Sequence, residues 1–294
     1  MSGVQDTPGL GSMPSRERLH RGAVSGWGNG SQGQRGGHAA AARNGAVYAA
    51  LDLGTNNCRL LVARPTSDAF RVVDAFSRII RLGEGVSNTG RISEAAIARA
   101  VDALSVCRDK MKMRGVTRAR LIATEACRTA ENGELFRQRI VDEVGLELDI
   151  INRETEATLA AVGCTPLIDP RASGVVLFDI GGGSSELVRL GTPLPTRRGP
   201  PPPQIDGWVS MPYGVVTLAE RYGGQDVSAA DYEAMVEEVG AAVRPFADAH
   251  RGCLDGVHLL GTSGTVTTIA GVHLALDRYE RRRVDGCWMS ADEM

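Results

Sequence analysis

Aromatic residues are scarce in this sequence: Phe, Trp and Tyr make up 4% of its 294 residues. A core drawn from Ala, Val and Leu, with 36 glycines in the chain, suits the tight helix–sheet contacts of α/β layers. Cysteine pairs are missing too. Cys58, Cys107, Cys127, Cys164, Cys253 and Cys287 include no C-x-x-C, so metal-ligand spacing is absent and no disulfide framework is expected in a chain this long. They read as reduced, small core residues. No apolar run approaches the ~20 residues that span a bilayer, and the N-terminus has no hydrophobic signal core. A cytoplasmic protein without a membrane partner is expected. An excess of positive charge is also lacking, since the net charge is −2. That argues against a duplex-binding face and a sequence-specific nucleic-acid partner, and any polyanion must be recognised locally. The five histidines are scattered. No Ser, Cys or His nucleophile constellation is visible, which disfavours a covalent intermediate.

What is present begins after residue 45. Residues 1–45 are dominated by Gly, Ser, Arg and Ala and are expected to be a disordered tail. From Val47, VYAALDLG reads as a buried strand ending in a glycine turn, and CRLLVARP as the returning strand of a hairpin. A third strand is expected over 70–77. Ser93 and Glu94 open a helix whose Ile97, Val101, Leu104 and Met111 share a face, ending at Gly115. A strand at 119–124, a helix at 133–144, a strand at 147–151 and a helix from about Glu154 follow. Then the plan repeats: strand and glycine turn at 174–183, return at 184–190, a proline-containing loop at 191–205, a strand near 208–212, helices at 214–222 and 228–249, a strand into a turn at 256–264, and a helix at 265–275. LDLGTNNCRLLV and FDIGGGSSELVR open the two halves alike. Two copies of one plan imply two α/β domains, 46–160 and 161–294, flanking a cleft.

Three turns carry the chemistry. In DLGTNN, Gly54 allows a tight turn, and Thr55, Asn56 and Asn57 add hydroxyl, amide and backbone N–H donors suited to phosphate oxygens. Such residues also build ordinary turns. DIGGGSSE is more specific: Gly181, Gly182 and Gly183 carry no Cβ, so a ligand can approach the N–H groups closely, with Ser184 beside them. Asp179 and Glu186 flank this turn. Acids beside a phosphate cradle repel the substrate unless they hold a cation or a water, so Asp179 reads as a Mg²⁺ anchor and Glu186 as its partner. GTSGTVTTIAG places Gly261, Thr262, Ser263, Gly264 and Thr265 where a strand enters a helix, and helix N-termini bind anions. A simple capping turn fits that segment equally well.

In this order the segments AALDLGTNNCRLLVA, RLGEGV, ATEACR, INRETEATLA, FDIGGGSSELV, MPYGVVTLAERY and LLGTSGTVTTIAG resemble the exopolyphosphatase/guanosine-pentaphosphatase family, within the actin-like/sugar-kinase superfamily. The resemblance covers 47–290. It implies two duplicated ribonuclease-H-like, actin-like ATPase domains, Mg²⁺ as cofactor, and polyphosphate or guanosine pentaphosphate as substrate. An assembly of two copies is compatible with it. It further implies that Glu156 matches the family's water-activating base and Arg128 a phosphate-holding arginine, while Glu186 helps orient the water. Glu125 is a second acid to consider, and Arg59 reads equally as an ordinary exposed arginine. Around Glu156 the sequence departs from the family pattern: Asn152 and Arg153 replace Ser-Gly and Thr155 replaces an acid. The resemblance also implies several tens of residues beyond the segment at 282–290, so the second domain is expected to lack a strand and helices at its C-terminal end. Two other readings stay open on sequence: an ATP-using sugar or acid kinase, which would need an adenosine pocket, and a non-catalytic sensor of polyphosphate or guanosine polyphosphates.

Overall fold

The computed structural model describes residues 45–66, 69–169, 171–191, 204–253 and 256–293. The expected tail, apart from Gly45, and most of the expected loop at 191–205 lie outside them. The chain divides into two compact units between Asn152 and Arg153.

In the first unit, β1 (Tyr48–Leu53), β2 (Asn57–Pro65) and β3 (Phe70–Ile79) form an antiparallel meander. The short α1 (Val86–Thr89) precedes α2 (Glu94–Met113), which opens as the sequence predicts: Ser93 accepts the Ala96 N–H in an N-cap. β4 (Arg118–Ala123) then pairs parallel to β1. After α3 (Glu125–Thr129) and α4 (Gly133–Val144) comes β5 (Asp149–Ile150), only two residues long where five were expected. The sheet order is β3-β2-β1-β4-β5. Its core follows from two periodicities. Leu51, Leu53, Leu60 and Val62 alternate onto one face, and Ile97, Ala100, Leu104, Cys107 and Met111 of α2 recur at helical spacing to meet them. The Cys58 and Cys107 sulfurs lie 3.9 Å apart in that core as free thiols.

The second unit opens with α5 (Arg153–Cys164). β6 (Gly174–Ile180), β7 (Ser185–Gly191) and β8 (Ile205–Met211) repeat the meander. After α6 (Val215–Tyr222) and α7 (Ala229–His250), β9 (Val257–Thr262) joins β6 in parallel and runs into α8 (Ser263–His273), followed by α9 (Arg281–Val284). The order is β8-β7-β6-β9, the first four positions of the other sheet. Ala157, Ala161 and Cys164 of α5 pack with Leu177 and Val188. All of α5 therefore belongs to the second unit, and the expected boundary at 160/161 moves to 152/153. Both units have the ribonuclease-H-like strand plan.

Candidate active site

Each unit's first hairpin turn is tied down through its carbonyls. In the first, the Gly54 N–H closes the turn on the Asn57 carbonyl at 2.9 Å. The Thr55 carbonyl accepts the Gly83 N–H, and the Asn56 carbonyl accepts the Ile80 and Arg81 N–H groups at 2.8 and 3.0 Å. In the second, the Gly181 N–H closes on the Ser184 carbonyl at 3.0 Å, while the Gly181 and Gly182 carbonyls accept N–H groups of Val215, Val216 and Thr217 in the first turn of α6. A trans peptide points its N–H opposite to its C=O. The N–H groups of Asn56 and Asn57 therefore point away from the 80–83 segment, and those of Gly182 and Gly183 away from α6.

The buttresses behind the turns are what the sequence left without a role. RLGEGV brings Gly83, where a Cβ would lie 2.2 Å from Thr55 Cγ2. MPYGVV brings Gly214, where a Cβ would lie 2.4 Å from the Gly182 carbonyl. Only glycine allows such approaches, and the Gly214 N–H is held by Thr217 Oγ1 at 2.8 Å. A glycine just before a helix, downstream of a glycine-rich hairpin, was the available signal.

Polar residues stand in a row across the second sheet. Glu186 is directly opposite Asp179 on one side and Ser210 on the other, and Asp179 is opposite Thr262. Directly opposed residues share a face of the sheet, with Cβ atoms about 5 Å apart. Glu186 is 3% exposed and accepts the Ser210 hydroxyl at 2.7 Å. Asp179 is half-buried. The first sheet has the same row with other residues: Ser77, Arg59, Asp52 and Ile122. There an acid faces a base. In the second sheet an acid faces an acid, at the mouth of the three-glycine turn.

The Gly261–Thr265 segment is a strand-to-helix junction, with β9 entering α8 at Ser263 and Thr262 as N-cap. Ser263 has φ of 79°, a left-handed conformation uncommon for a non-glycine residue and typical of functional strain. Gly261 admits Phe178 and Val266, which a Cβ would meet at 2.6 and 2.7 Å. Since β6 and β9 are parallel neighbours, the three-glycine turn and the start of α8 emerge at the same end of the sheet. Cys164 is at the end of α5, and burial pushes its thiol up, with the Thr262 side chain acting in the other direction and Asp179 in the same one. α5 otherwise packs on β7 and β8, so it crosses the same strands as the polar row. Glu156 is half-buried in its first turn, eight residues and about 12 Å along the axis from Cys164.

In the first unit Arg128 is fastened within the protein. Its Nε donates to Glu125 Oε2 at 3.1 Å, its Nη2 makes a very short bond to the same oxygen, and its Nη1 donates to the Ile151 carbonyl at 2.6 Å. Glu125 is 6% exposed. ATEACR is a strand end followed by a one-turn helix, where Glu125 and Arg128 meet at i,i+3. The helix start is tied to β1 by the Thr124 N–H on the Leu53 carbonyl at 3.2 Å. The second unit also has a cavity of about 390 Å³ between the opposite sheet face and α7, lined by residues such as Val176, Phe178, Val243 and Phe246. That lining is almost wholly apolar and unsuited to a phosphate chain.

With this geometry, the sequence profile of the Ppx/GppA phosphatase family matches residues 61–285. The chain belongs to the Ppx/GppA phosphatase family. It is 28% identical over 230 residues to a guanosine-5'-triphosphate,3'-diphosphate pyrophosphatase of Photobacterium profundum, an alignment covering 78% of this chain and 44% of that protein. A protein of the same description from Vibrio vulnificus is 28% identical over 235 residues, with 80% of this chain and 45% of that one covered. The chain thus spans less than half the length of the curated relatives it matches. Among solved Ppx/GppA-type structures, an exopolyphosphatase-like protein is 30% identical with a TM-score of 0.70, covering 79% of this chain and 70% of that one. The Aquifex aeolicus family member is 25% identical with a TM-score of 0.61, covering 81% and 72%. Among the described residues no helix is long and apolar enough to cross a membrane.

Proposed function

We propose that this chain is a Mg²⁺-assisted phosphohydrolase releasing the terminal phosphate of inorganic polyphosphate or guanosine pentaphosphate. The observation that carries the proposal is the Asp179–Glu186 pair at the three-glycine turn. In the sheet register two carboxylates are directly opposed here, whereas the matching pair in the other sheet is Asp52 and Arg59. Two neighbouring carboxylates are a donor set suited to a divalent cation. Among the described residues no group of three His, Cys, Asp or Glu side chains is placed to hold a metal ion; Asp179 and Glu186 would supply two carboxylate donors. Mg²⁺ is bound in this way, by one or two carboxylates plus water and substrate phosphates.

Asp179 and Glu186 would hold the ion, which when bound supplies charge neutralisation on the phosphate oxygens. The N–H groups of Gly182 and Gly183, with the first turn of α8 around Ser263, Gly264 and Thr265, would bind phosphate oxygens. Glu156 would accept the proton of the attacking water. In the first unit taken by itself, Asn56 and Asn57 would offer N–H donors, and Arg128 a guanidinium, to phosphate oxygens. In a loose phosphoryl-transfer transition state, positioning and charge stabilisation account for most of the acceleration.

The test is phosphate release from long-chain polyphosphate and from guanosine pentaphosphate, with Mg²⁺ and after EDTA. Release should need Mg²⁺ and fall about 10²–10⁴-fold in Glu156→Gln. Release that survives both EDTA and Glu156→Gln would remove the proposal.

A further inference from the structure

We infer that Ser210 is a positioning residue for the cation site, acting through Glu186; the inference rests on the metal reading above. Ser210 is in β8, outside every glycine-rich turn. Its hydroxyl donates to Glu186 Oε1 at 2.7 Å, and both side chains are buried, at 7% and 3% exposure. The sheet register defines the direction of that bond. Glu186 lies between Ser210 on β8 and Asp179 on β6, so a donor on the β8 side holds Oε1 there. A glutamate has three side-chain torsions, and fixing one oxygen removes most of that freedom before an ion arrives. Losing a hydrogen bond that orients a metal ligand typically costs about 10–100-fold in metal affinity.

The duplicated sheet supports this assignment. Ser77 occupies the matching position opposite Arg59, so a small hydroxyl residue suits this place on the third strand. Only in the second sheet does the neighbour accept a hydrogen bond as a carboxylate. Three positions after Ser210, the Tyr213 carbonyl accepts the Ser185 hydroxyl at 2.6 Å. β8 and the start of β7 are thereby joined beside the glycine turn, which fixes the strand that carries Ser210.

The experiment titrates the whole chain with Mn²⁺, as a spectroscopic stand-in for Mg²⁺, and follows free Mn²⁺ by electron paramagnetic resonance without substrate. Wild type, Ser210→Ala, Ser210→Thr and Glu186→Gln are compared, with melting temperatures as the folding control. Ser210→Ala should raise the Mn²⁺ dissociation constant about 10-fold while melting close to wild type, and Ser210→Thr, which keeps the hydroxyl, should restore most of the affinity. Should threonine's extra methyl lower the melting temperature, Ser210→Cys replaces it as the near-isosteric variant; with its weak donor it should bind like the alanine variant. Unchanged affinity in Ser210→Ala, alongside weakened binding in Glu186→Gln, overturns the Ser210 role and leaves the cation site standing. Equal Mn²⁺ binding by wild type and Glu186→Gln overturns both.

Discussion

Arg128 makes two demands on one side chain. Its three bonds to Glu125 and the Ile151 carbonyl hold the one-turn helix to the residue just after β5. The pair is shielded, with side-chain exposures of 18% and 8%. Removing one partner of a buried pair typically costs about 3–5 kcal/mol. Arg128→Ala should therefore lose stability of about 3 kcal/mol, seen as a lower urea midpoint, in addition to any loss of activity. A double variant, Glu125→Gln with Arg128→Met, should recover part of that stability and none of the activity. The resemblance marked Arg128 for phosphate because families share residue types at matched positions. It did not show the fastening, because the Ile151 carbonyl lies 23 positions away in sequence.

At the scale of elements, strands and long helices were legible from alternation, helical spacing, and the Ser93 cap. β5 was read too long, because its apolar residues serve the core beyond the two that pair with β4. The role of α6 was not legible. Its N–H groups bind the glycine turn's own carbonyls, a contact between segments some thirty residues apart that periodicity does not report. Gly214→Ala puts a Cβ 2.4 Å from the Gly182 carbonyl, and neither backbone can give way cheaply. We expect a loss of about 1–3 kcal/mol and a higher KM for polyphosphate, measured by phosphate release across substrate concentrations. The tie between β3 and α2 is electrostatic. Asp74 accepts from Lys110 at 2.8 Å and Arg114 at 2.9 Å, and these cations hold its carboxyl at about 2. Because the folded value is depressed below the ordinary value near 3.9, the stabilisation is present above about pH 4 and fades as pH falls toward about 2. Melting temperature in that window should fall less steeply in Asp74→Asn than in wild type.

For the molecule as a whole, the repeat was the most informative sequence feature. LDLGTNNCR and FDIGGGSSE fold into hairpins with the same turn bond and the same pairing of residues seven apart. Sequence could not show that the pairing continues sideways into a row, since Ser77, Ser210, Ile122 and Thr262 come from distant strands. Those rows make the two sheets a matched pair of sockets that differ in charge at one step. One codon accounts for that difference in register: Arg59→Glu would give the first hairpin the acid-facing-acid arrangement of the second. In the Mn²⁺ titration that variant should show added binding, and it should be less stable in EDTA than with the metal present. The same hairpin would then act as a built-in control, reporting how much of the native site's affinity comes from two carboxylates alone and how much from the three-glycine turn that only the second socket has.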